Sequence, residues 1–280
     1  MTTIRVVSWN IGGRDTAWRQ LAADDAVDVA LLQEAKAPPQ DVQLEVFGAE
    51  DGWATAGWER RPFRTAVVRC SDRVRVVPEP SVRPIGLAGR GELPVSRPGT
   101  LAVAKVVPSD GVPFTVASAY AAWERPVPLT EGGWIYADAS AHRLVSDLSA
   151  LVGSQQGHRI LVAGDWNILN GYGENGSPYW AGRYRTVFER LEAIGLRFWG
   201  PQQPEGVPAS PTPTELPPDS RNVPTYRTNE LDPTTGQRQL DFVFASADVA
   251  EQVLKVAAWN RPEGWGASDH CRVVIEVQVA

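Results

Sequence analysis

The strongest constraint on the fold is a series of short runs, rich in β-branched residues, that recurs along almost the whole chain. Each run has four to eight residues and is bounded by Gly, Pro, Asp or Asn, which is the pattern of β-strands. The predicted strands are Ile4–Trp9, Val27–Gln33, Thr65–Cys70, Val74–Val77, Leu101–Val107, Pro113–Tyr120, Ile160–Gly164, Leu240–Ala245 and Arg272–Val279. A chain with this pattern folds around extensive β-sheet.

Helical periodicity is confined to three segments between these strands. Ala17–Ala26 is short, whereas Ala139–Val152 and Tyr184–Ile194 each place aliphatic side chains along one face. Hydrophobic residues make up 43% and charged residues 21%, which are globular values. We therefore expect a layered α/β or α+β fold with a large sheet component and room for two packed sheets.

The scarcity of three residue types narrows the possible chemistry. The chain has three His, two Cys and three Lys. Two Cys exclude a disulfide scaffold, and three His argue against a zinc site built from several imidazoles. No Lys follows a Gly, which excludes a phosphate-binding loop of the Walker-A type.

Polar residues stand at or beside the ends of five predicted strands. The segments are Ser8-Trp9-Asn10, Leu31-Leu32-Gln33-Glu34, Gly164-Asp165-Trp166-Asn167, Leu240-Asp241-Phe242 and Ser268-Asp269-His270. Open α/β sheets collect their active sites at the carboxyl ends of their strands. Any one of these groups could simply begin a turn. Five of them in this order indicate a functional site.

In this order the motifs resemble the endonuclease/exonuclease/phosphatase superfamily, which has the deoxyribonuclease-I-like fold. The resemblance runs from Trp9-Asn10 to Asp269-His270, nearly the whole chain. It implies an α/β (α+β) fold built as a four-layered sandwich, in which two packed, mixed and mostly antiparallel β-sheets are flanked by helices. It also implies a divalent-metal-dependent phosphodiester hydrolase.

The resemblance implies a metal site formed by Glu34, Asn10 and Asp269. Mg²⁺ prefers oxygen ligands, keeps several waters and takes few protein carboxylates, which suits this set, and Mn²⁺ could substitute for it. Zinc would require imidazole or thiolate ligands, which the chain barely has. The metal would neutralise phosphate charge and stabilise the leaving oxygen.

Catalytic roles are likewise implied for Asp165, Asn167, Asp241, His270 and Tyr120. Asp165 would orient or deprotonate the attacking water, and Asn167 would hold the phosphate. His270, paired with Asp241, would be favoured as imidazolium and would stabilise the phosphate through a charge-assisted hydrogen bond. The residues alone do not decide whether Asp165 or His270 takes the proton.

Tyr120 places the chain nearest in motif to the abasic-site repair endonucleases, which carry a tyrosine at this position, whereas some branches of the family carry a histidine there. Two departures separate it from that branch. Gly12 stands where the repair enzymes have an acid, and Ala121-Ala122-Trp123-Glu124 stands where they have a Pro-Asn pair. Both weaken an abasic-site specificity and leave hydrolysis intact. Tyr226, before the Asp241 strand, is predicted to form part of the substrate wall.

The charge balance bears on the substrate. A net charge of −6 and a pI near 5.2 argue against a broad basic surface for long duplex DNA. Arginines crowd two stretches that also carry aromatic residues, from Arg60 to Arg75 and from Arg183 to Arg197. Such a composition suits a groove that tracks phosphates and stacks bases, and equally a solvated surface.

We therefore predict a nuclease acting on DNA or RNA, with short or single-stranded substrates favoured. A small-molecule or lipid-headgroup phosphoesterase on the same fold is the alternative, and a non-catalytic binding module is a third class.

The N-terminal sequence, the lengths of the apolar runs and the position of the proline-rich segment together predict one cytoplasmic domain. No basic region followed by an apolar stretch opens the sequence, and no apolar run approaches the ~18 residues of a membrane span. Residues 201–224 hold eight of the 23 prolines, but the polar motifs fall on both sides of them. We expect a single domain over 1–280, a mobile or substrate-facing loop at 201–224, and no membrane partner. The oligomeric state is left open.

Overall fold

The structure, a computed structural model, describes residues 2–49, 52–53, 63–124, 137–154, 159–172, 177–228 and 232–279. In chain order its elements are β1 (Thr3–Asn10), α1 (Asp15–Ala22), β2 (Val29–Ala35), β3 (Glu45–Phe47), β4 (Arg64–Arg69), β5 (Val74–Val77), β6 (Val82–Pro84), β7 (Leu93–Val95), β8 (Leu101–Pro108), β9 (Phe114–Tyr120), α2 (Ala137–Ser154), β10 (Ile160–Asp165), α3 (Pro178–Ala193), β11 (Arg197–Gly200), β12 (Asp241–Ala245), α4 (Ala247–Ala250), β13 (Val253–Trp259), α5 (Pro262–Trp265) and β14 (Arg272–Gln278).

These strands form two six-stranded sheets and a small third one, β6-β7. The first sheet has the order β13-β14-β1-β2-β4-β3, and the second has the order β11-β12-β10-β9-β8-β5. Each large sheet has one parallel pair at its centre, β1-β2 in the first and β9-β10 in the second, and its other neighbours are antiparallel. The predicted mixed and mostly antiparallel sheets are thereby confirmed.

The two large sheets pack face to face. Their shared core joins aliphatic side chains such as Ile4 and Leu31 of the first sheet to Val116 and Leu161 of the second. Helix α1 covers the outer face of the first sheet, and α2 and α3 cover the outer face of the second. The predicted four-layered sandwich is therefore the observed architecture.

Several strands that the sequence pattern does not predict lie at the edges of the two large sheets. Strand β13 borders the first sheet and β11 borders the second. Leu254 and Lys255 of β13 are both exposed and are followed by three buried residues, so the strand lacks alternation. An edge strand is only partly covered, which removes the period that identifies strands in a sequence.

The topology brings the predicted site residues to one edge of the sandwich. The carboxyl ends of parallel strands lie at the same side of a sheet, and here β1, β2, β9 and β10 all end at that side. The antiparallel strands β12 and β14 begin there. In the second sheet Asp165 lies opposite both Tyr120 and Asp241. Residues that are distant in sequence therefore meet because of strand direction alone.

Gly164 shows how tightly this edge is built. It lies in β10 between β9 and β12, and a Cβ atom on it would overlap the carbonyl oxygen of Ala119. We expect Gly164→Ala to lower the free energy of unfolding by about 3 kcal/mol, because the overlap is with backbone that cannot rotate away. Chemical denaturation measures the change.

A matched control is Gly182→Ala in α3, where a Cβ would meet no atom within 4 Å. That variant should be as stable as the wild type or more stable by up to about 1 kcal/mol, because Ala is the better helix former. Equal stability of the Gly164 and Gly182 variants would contradict this packing.

The proline-rich segment, residues 201–224, has no helix or strand and lies along the edge of the first sheet. The amide of Ala258 donates to the carbonyl of Glu205 at 2.9 Å, and Asn260 Nδ2 donates to the carbonyl of Val207 at 2.7 Å. Among the described residues, no helix is long and apolar enough to cross a membrane.

Candidate active site

A cleft of about 290 Å³ lies where the central strands end. Its lining comprises Asn10, Gly12, Arg14, Glu34, Tyr120, Trp123, Asp165, Asn167, Tyr226, Leu240, Asp269 and His270. Of the predicted site residues, only Asp241 is absent from this lining, and it lies behind His270. The described part of the proline-rich segment contributes nothing to it, contrary to the expectation of a substrate-facing loop. A cavity of about 470 Å³ between that segment and β13 holds none of the predicted residues.

Two cleft residues have a backbone conformation that L-amino acids rarely adopt. Within the described chain, Glu34 and Asn167 are the two non-glycine residues with positive φ, at 49° and 51°. Such a conformation costs roughly 1 kcal/mol or more and tends to cluster at functional sites. Both strained residues lie in this cleft, which sets it apart from the rest of the molecule.

Glu34 is held from two sides. The hydroxyl of Tyr120 donates to its Oε1 at 2.8 Å, and Asn10 Nδ2 lies 3.3 Å from the same oxygen. Asn10 also donates to Asp165 Oδ2 at 2.9 Å, and its own Oδ1 accepts from the amide of Gly12 at 3.0 Å. Because Asn10 ends β1 and Asp165 ends β10, this amide joins the two sheets.

Asp165 is a buried carboxylate surrounded by donors. It accepts from Asn10, from the amide of Asn167 at 3.0 Å and from Asn167 Nδ2 at 3.1 Å. Burial raises its pKa to about 7, assisted by the negative charges of Asp241 and Glu34, although the positive charge of His270 opposes the shift. The group can therefore both hold and release a proton near neutral pH.

His270 is buried beside two carboxylates. Its Nδ1 lies 2.8 Å from Asp241 Oδ2, and its Nε2 lies 3.8 Å from Asp165 Oδ2. Burial lowers the pKa of His270, but the charges of Asp241 and Asp165 and the hydrogen bond to Asp241 outweigh it and raise the pKa to about 10. The imidazole is therefore a cation at neutral pH, with Nδ1 donating to Asp241.

The backbone of His270 is fixed as firmly as its ring. Trp9 Nε1 donates to its carbonyl at 3.0 Å, and its amide donates to Ser268 Oγ at 3.1 Å. Ser268 Oγ in turn donates to the carbonyl of Asn10 at 2.6 Å. The Tyr226 ring lies 5.0 Å from the imidazole, as a wall residue would. These contacts tie the start of β14 to the end of β1.

The chemistry of the donors separates a proton site from a candidate metal site. Asp165, Asp241 and His270 have ligand atoms within 4.8 Å of one another, which is close enough for a cation. However, His270 Nδ1 is already hydrogen-bonded to Asp241, and both oxygens of Asp165 accept hydrogen bonds, so we assign this group to proton chemistry. Glu34 and Asp269 bring carboxylate oxygens to the cleft, the ligand type that Mg²⁺ prefers, whereas Asn10 turns its Nδ2 toward Glu34 and its Oδ1 toward the amide of Gly12. That set stays a prediction.

Two residues of the lining are missing from the sequence-based set. Among the described lining residues, Arg14 is the one Arg or Lys, and Trp123 is a half-exposed aromatic. A Cβ on Gly12 would lie 3.6 Å from Arg14 Nε and 3.8 Å from Asp269 Oδ1. The sequence feature that could have identified them is their position a few residues after a strand that ends in a predicted site residue, Asn10 for Arg14 and Tyr120 for Trp123.

The described arginines of the two arginine-rich stretches are not part of this cleft. Arg60 and Arg61 lie outside the described residues. Arg69 forms ion pairs with Glu45 at 2.7 Å and Asp72 at 2.9 Å. Arg183 donates to the buried Asp138 and to the hydroxyl of Tyr179, both at 2.7 Å. Since no described arginine of either stretch lines the cleft, the prediction of a phosphate-tracking groove does not hold for these described arginines.

In these two stacked mixed sheets the parallel strands end in polar groups, and a carboxylate-paired histidine stands just before the antiparallel strand β14. This arrangement defines a class of phosphoester hydrolases. The chain belongs to the Endonuclease/Exonuclease/phosphatase family, whose model matches residues 7–270. The resemblance stated from the motifs is thereby confirmed. No curated protein matches the sequence.

Solved structures show the same fold. The endonuclease domain of TRAS1, a telomere-specific non-LTR retrotransposon, is 16% identical with a TM-score of 0.63, and the match covers 99% of each chain. The AP endonuclease LMAP from Leishmania major is 14% identical with a TM-score of 0.63, covering 99% of this chain and 88% of that one.

Proposed function

We propose that this protein is a divalent-metal-dependent nuclease that hydrolyses phosphodiester bonds of DNA or RNA through attack of water on phosphorus. The observation that carries the proposal is the convergence of Asp165, the His270–Asp241 pair and Glu34 in one cleft. Membership of the family supports hydrolysis of phosphoesters. The names of the two structural neighbours, both endonucleases, favour nucleic acid as the substrate.

Asp165 is the group we assign as general base. Its carboxylate is positioned by Asn10 and Asn167, and a pKa near 7 suits a base that works at neutral pH. His270 is already protonated there, so it cannot take the proton of the attacking water. It instead donates a charge-assisted hydrogen bond from Nε2 to a phosphoryl oxygen on which negative charge develops.

The remaining cleft residues bind and neutralise the phosphate. Glu34, Asn10 and Asp269 would hold Mg²⁺, or Mn²⁺ in its place, and the cation would supply positive charge to the phosphate and to the leaving oxygen. Tyr120 and Asn10 orient the Glu34 carboxylate through their hydrogen bonds. Arg14 offers a guanidinium to phosphate oxygens from the loop after β1, and Asn167 offers its side-chain amide.

A small phosphoester is the second candidate substrate. The cleft is compact at about 290 Å³, and its described lining sets the carboxylates of Glu34, Asp165 and Asp269 against only two cations, Arg14 and His270. Such a balance suits a single phosphoester better than a long polyanion. We therefore favour short or single-stranded nucleic acid over long duplex DNA.

A substrate panel tests the proposal. The purified protein is incubated with supercoiled, linear and single-stranded DNA, with RNA and with phosphomonoesters, each in Mg²⁺ and in chelator. Cleavage of a nucleic acid in Mg²⁺ supports a nuclease. Turnover of a small phosphoester without cleavage of any nucleic acid would reject it, and tight metal-independent binding without turnover would indicate a binding module.

The unpaired thiols of Cys70 and Cys271 fit the cytoplasmic location that we propose for this protein.

The pH profile of kcat/KM should be bell-shaped. Asp165 works deprotonated, so activity rises as pH passes through its raised pKa of about 7, and a bound cation near Glu34 moves this limb to lower pH. His270 works protonated, so activity falls as pH passes through its raised pKa of about 10. Initial rates at saturating metal measure both limbs.

The Asp241→Asn variant tests whether the titration of His270 sets the alkaline limb of the pH profile. The substitution removes the main charge that raises the pKa of His270, so the alkaline limb should move to lower pH while the acid limb stays near its place or falls slightly. An alkaline limb that is identical in the variant and the wild type would show that His270 does not set it.

A further inference from the structure

Among the tryptophans of the described chain, Trp123 is the one in the lining of the cleft. Four others, Trp9, Trp18, Trp166 and Trp265, are almost completely buried, whereas Trp123 is 46% exposed and lines the cleft. The exposed ring lines the same cleft as Glu34, Asp165 and His270, so a ligand bound beside those groups can contact it. Aromatic side chains beside a few converging polar groups are a typical lining of ligand sites.

The backbone on the N-terminal side of Trp123, between this residue and β9, is held by hydrogen bonds. The amide of Ala121 donates to the carbonyl of Asp165 at 2.8 Å, and the buried Arg97 donates from Nη1 to the carbonyl of Ala122 at 2.7 Å. Both alanines are fully buried. The backbone immediately before Trp123 is therefore tied to the catalytic strand β10.

Glu124, on the C-terminal side of Trp123, is held by two arginines. The carboxylate of Glu124 accepts from Arg143 Nε at 2.8 Å and Nη2 at 3.3 Å, and it lies 3.8 Å from Arg97. Trp123 is thus presented between two anchored residues, and binding a flat ligand on it requires little ordering of the chain.

The opposite walls of the cleft supply the groups that a nucleotide needs. Arg14 follows β1 of the first sheet, and Trp123 follows β9 of the second, so a phosphate bound near Arg14 and Glu34 has an aromatic surface across the cleft. Stacking on such a surface tolerates every base but requires an unpaired one, since both faces of a base in a duplex are already covered.

We infer that Trp123 is the residue on which the base of an unpaired nucleotide stacks next to the scissile phosphate. This inference rests on the proposed nuclease function and deepens it, because Trp123 then selects single-stranded nucleic acid over phosphoesters without a base. If Trp123 had a purely structural role, its substitution would lower activity equally on all substrates.

Kinetics on two matched substrates test the inference. One is a single-stranded oligonucleotide, and the other is an oligomer with the same sugar-phosphate backbone but no bases. Trp123→Ala should lower kcat/KM about 10- to 100-fold on the first and less than about twofold on the second, whereas Trp123→Phe should retain most of the activity on both. Equal losses on the two substrates would overturn the inference.

Trp199→Ala is the control variant. Trp199 is 44% exposed on β11 and is not part of the cleft lining, so its loss matches that of Trp123 in residue type and exposure. It should leave kcat/KM unchanged on both substrates. An effect of the Trp199 variant equal to that of Trp123→Ala would also overturn the assignment.

A binding measurement separates this inference from the proposed function. A single-stranded oligonucleotide containing 2-aminopurine is titrated with protein in chelator, where no turnover is expected. Its fluorescence should be quenched by stacking on the wild type, Trp123→Phe and Trp199→Ala proteins, and not on Trp123→Ala. Quenching that is equal in all four proteins would reject Trp123. Failure of the wild type to cleave any nucleic acid in Mg²⁺ would reject the nuclease function instead.

Discussion

Asp165→Asn is expected to lower kcat/KM for a single-stranded oligonucleotide in Mg²⁺ by about 10³-fold, the range of a lost general base. The amide has the shape of the carboxylate and keeps an oxygen to accept from the amide of Asn167. It cannot take a proton from water, and it removes the negative charge that helps keep His270 protonated. Steady-state kinetics with thermal melting of each variant measure the loss.

Asp147→Asn is the matched control for this substitution. Asp147 lies buried in α2, where it accepts from the amide and hydroxyl of Ser96, and burial raises its pKa as it does for Asp165. The control should keep kcat/KM within about twofold, because surface and core changes remote from a site mainly affect stability. Equal losses in the two variants would show that removal of a buried carboxylate, and not of the base, causes the effect.

Removal of the metal is the second large effect we expect. Chelation should abolish cleavage by the wild type and added Mg²⁺ should restore it, because the phosphate enters a cleft in which Glu34, Asp165 and Asp269 are all carboxylates. Glu34→Gln should raise the Mg²⁺ concentration for half-maximal activity at least about tenfold, since the amide offers a weaker, uncharged ligand. Calorimetric titration with Mg²⁺ gives a readout that does not depend on turnover.

Glu276→Gln controls for the loss of a partly buried glutamate. Glu276 lies in β14 and pairs with Arg5 at 2.9 Å, outside the lining of the cleft. Its substitution should leave the Mg²⁺ requirement unchanged. If Glu34→Gln and the wild type bind Mg²⁺ with the same affinity and show the same metal requirement, the metal site lies elsewhere.

The candidate site was largely predictable because its residues follow strand ends. Asn10, Glu34 and Asp165 each close a strand that is buried on both faces, and such strands are the easiest to recognise in a sequence. Once these strands are placed, the direction of parallel pairs brings their ends together. The choice of Asp165 as the proposed general base was not predictable, because it depends on burial and on the distances between Asp165, Asp241 and His270.

The sequence does not predict features that depend on which face of a helix or strand is covered by other segments. Strand β13 lacks alternation because it is an edge strand, and Arg183 could have faced a phosphate or, as it does, the buried Asp138. The exposure of Trp123 follows from how Arg97 and Glu124 fix its loop. None of these outcomes leaves a periodic mark in the sequence, since each is decided by contacts between distant segments.

The central claim is that this cleft hydrolyses a phosphodiester through a bound divalent cation, Asp165 and His270. The most direct measurement is the single-turnover rate of cleavage of a single-stranded oligonucleotide by the wild type and by His270→Ala, each in Mg²⁺ and in chelator. We predict cleavage by the wild type in Mg²⁺ alone and a rate about 10³-fold lower in the variant, the scale of a lost charge-assisted donor to the transition state. Cleavage by His270→Ala at the wild-type rate, or by the wild type in chelator, would contradict it.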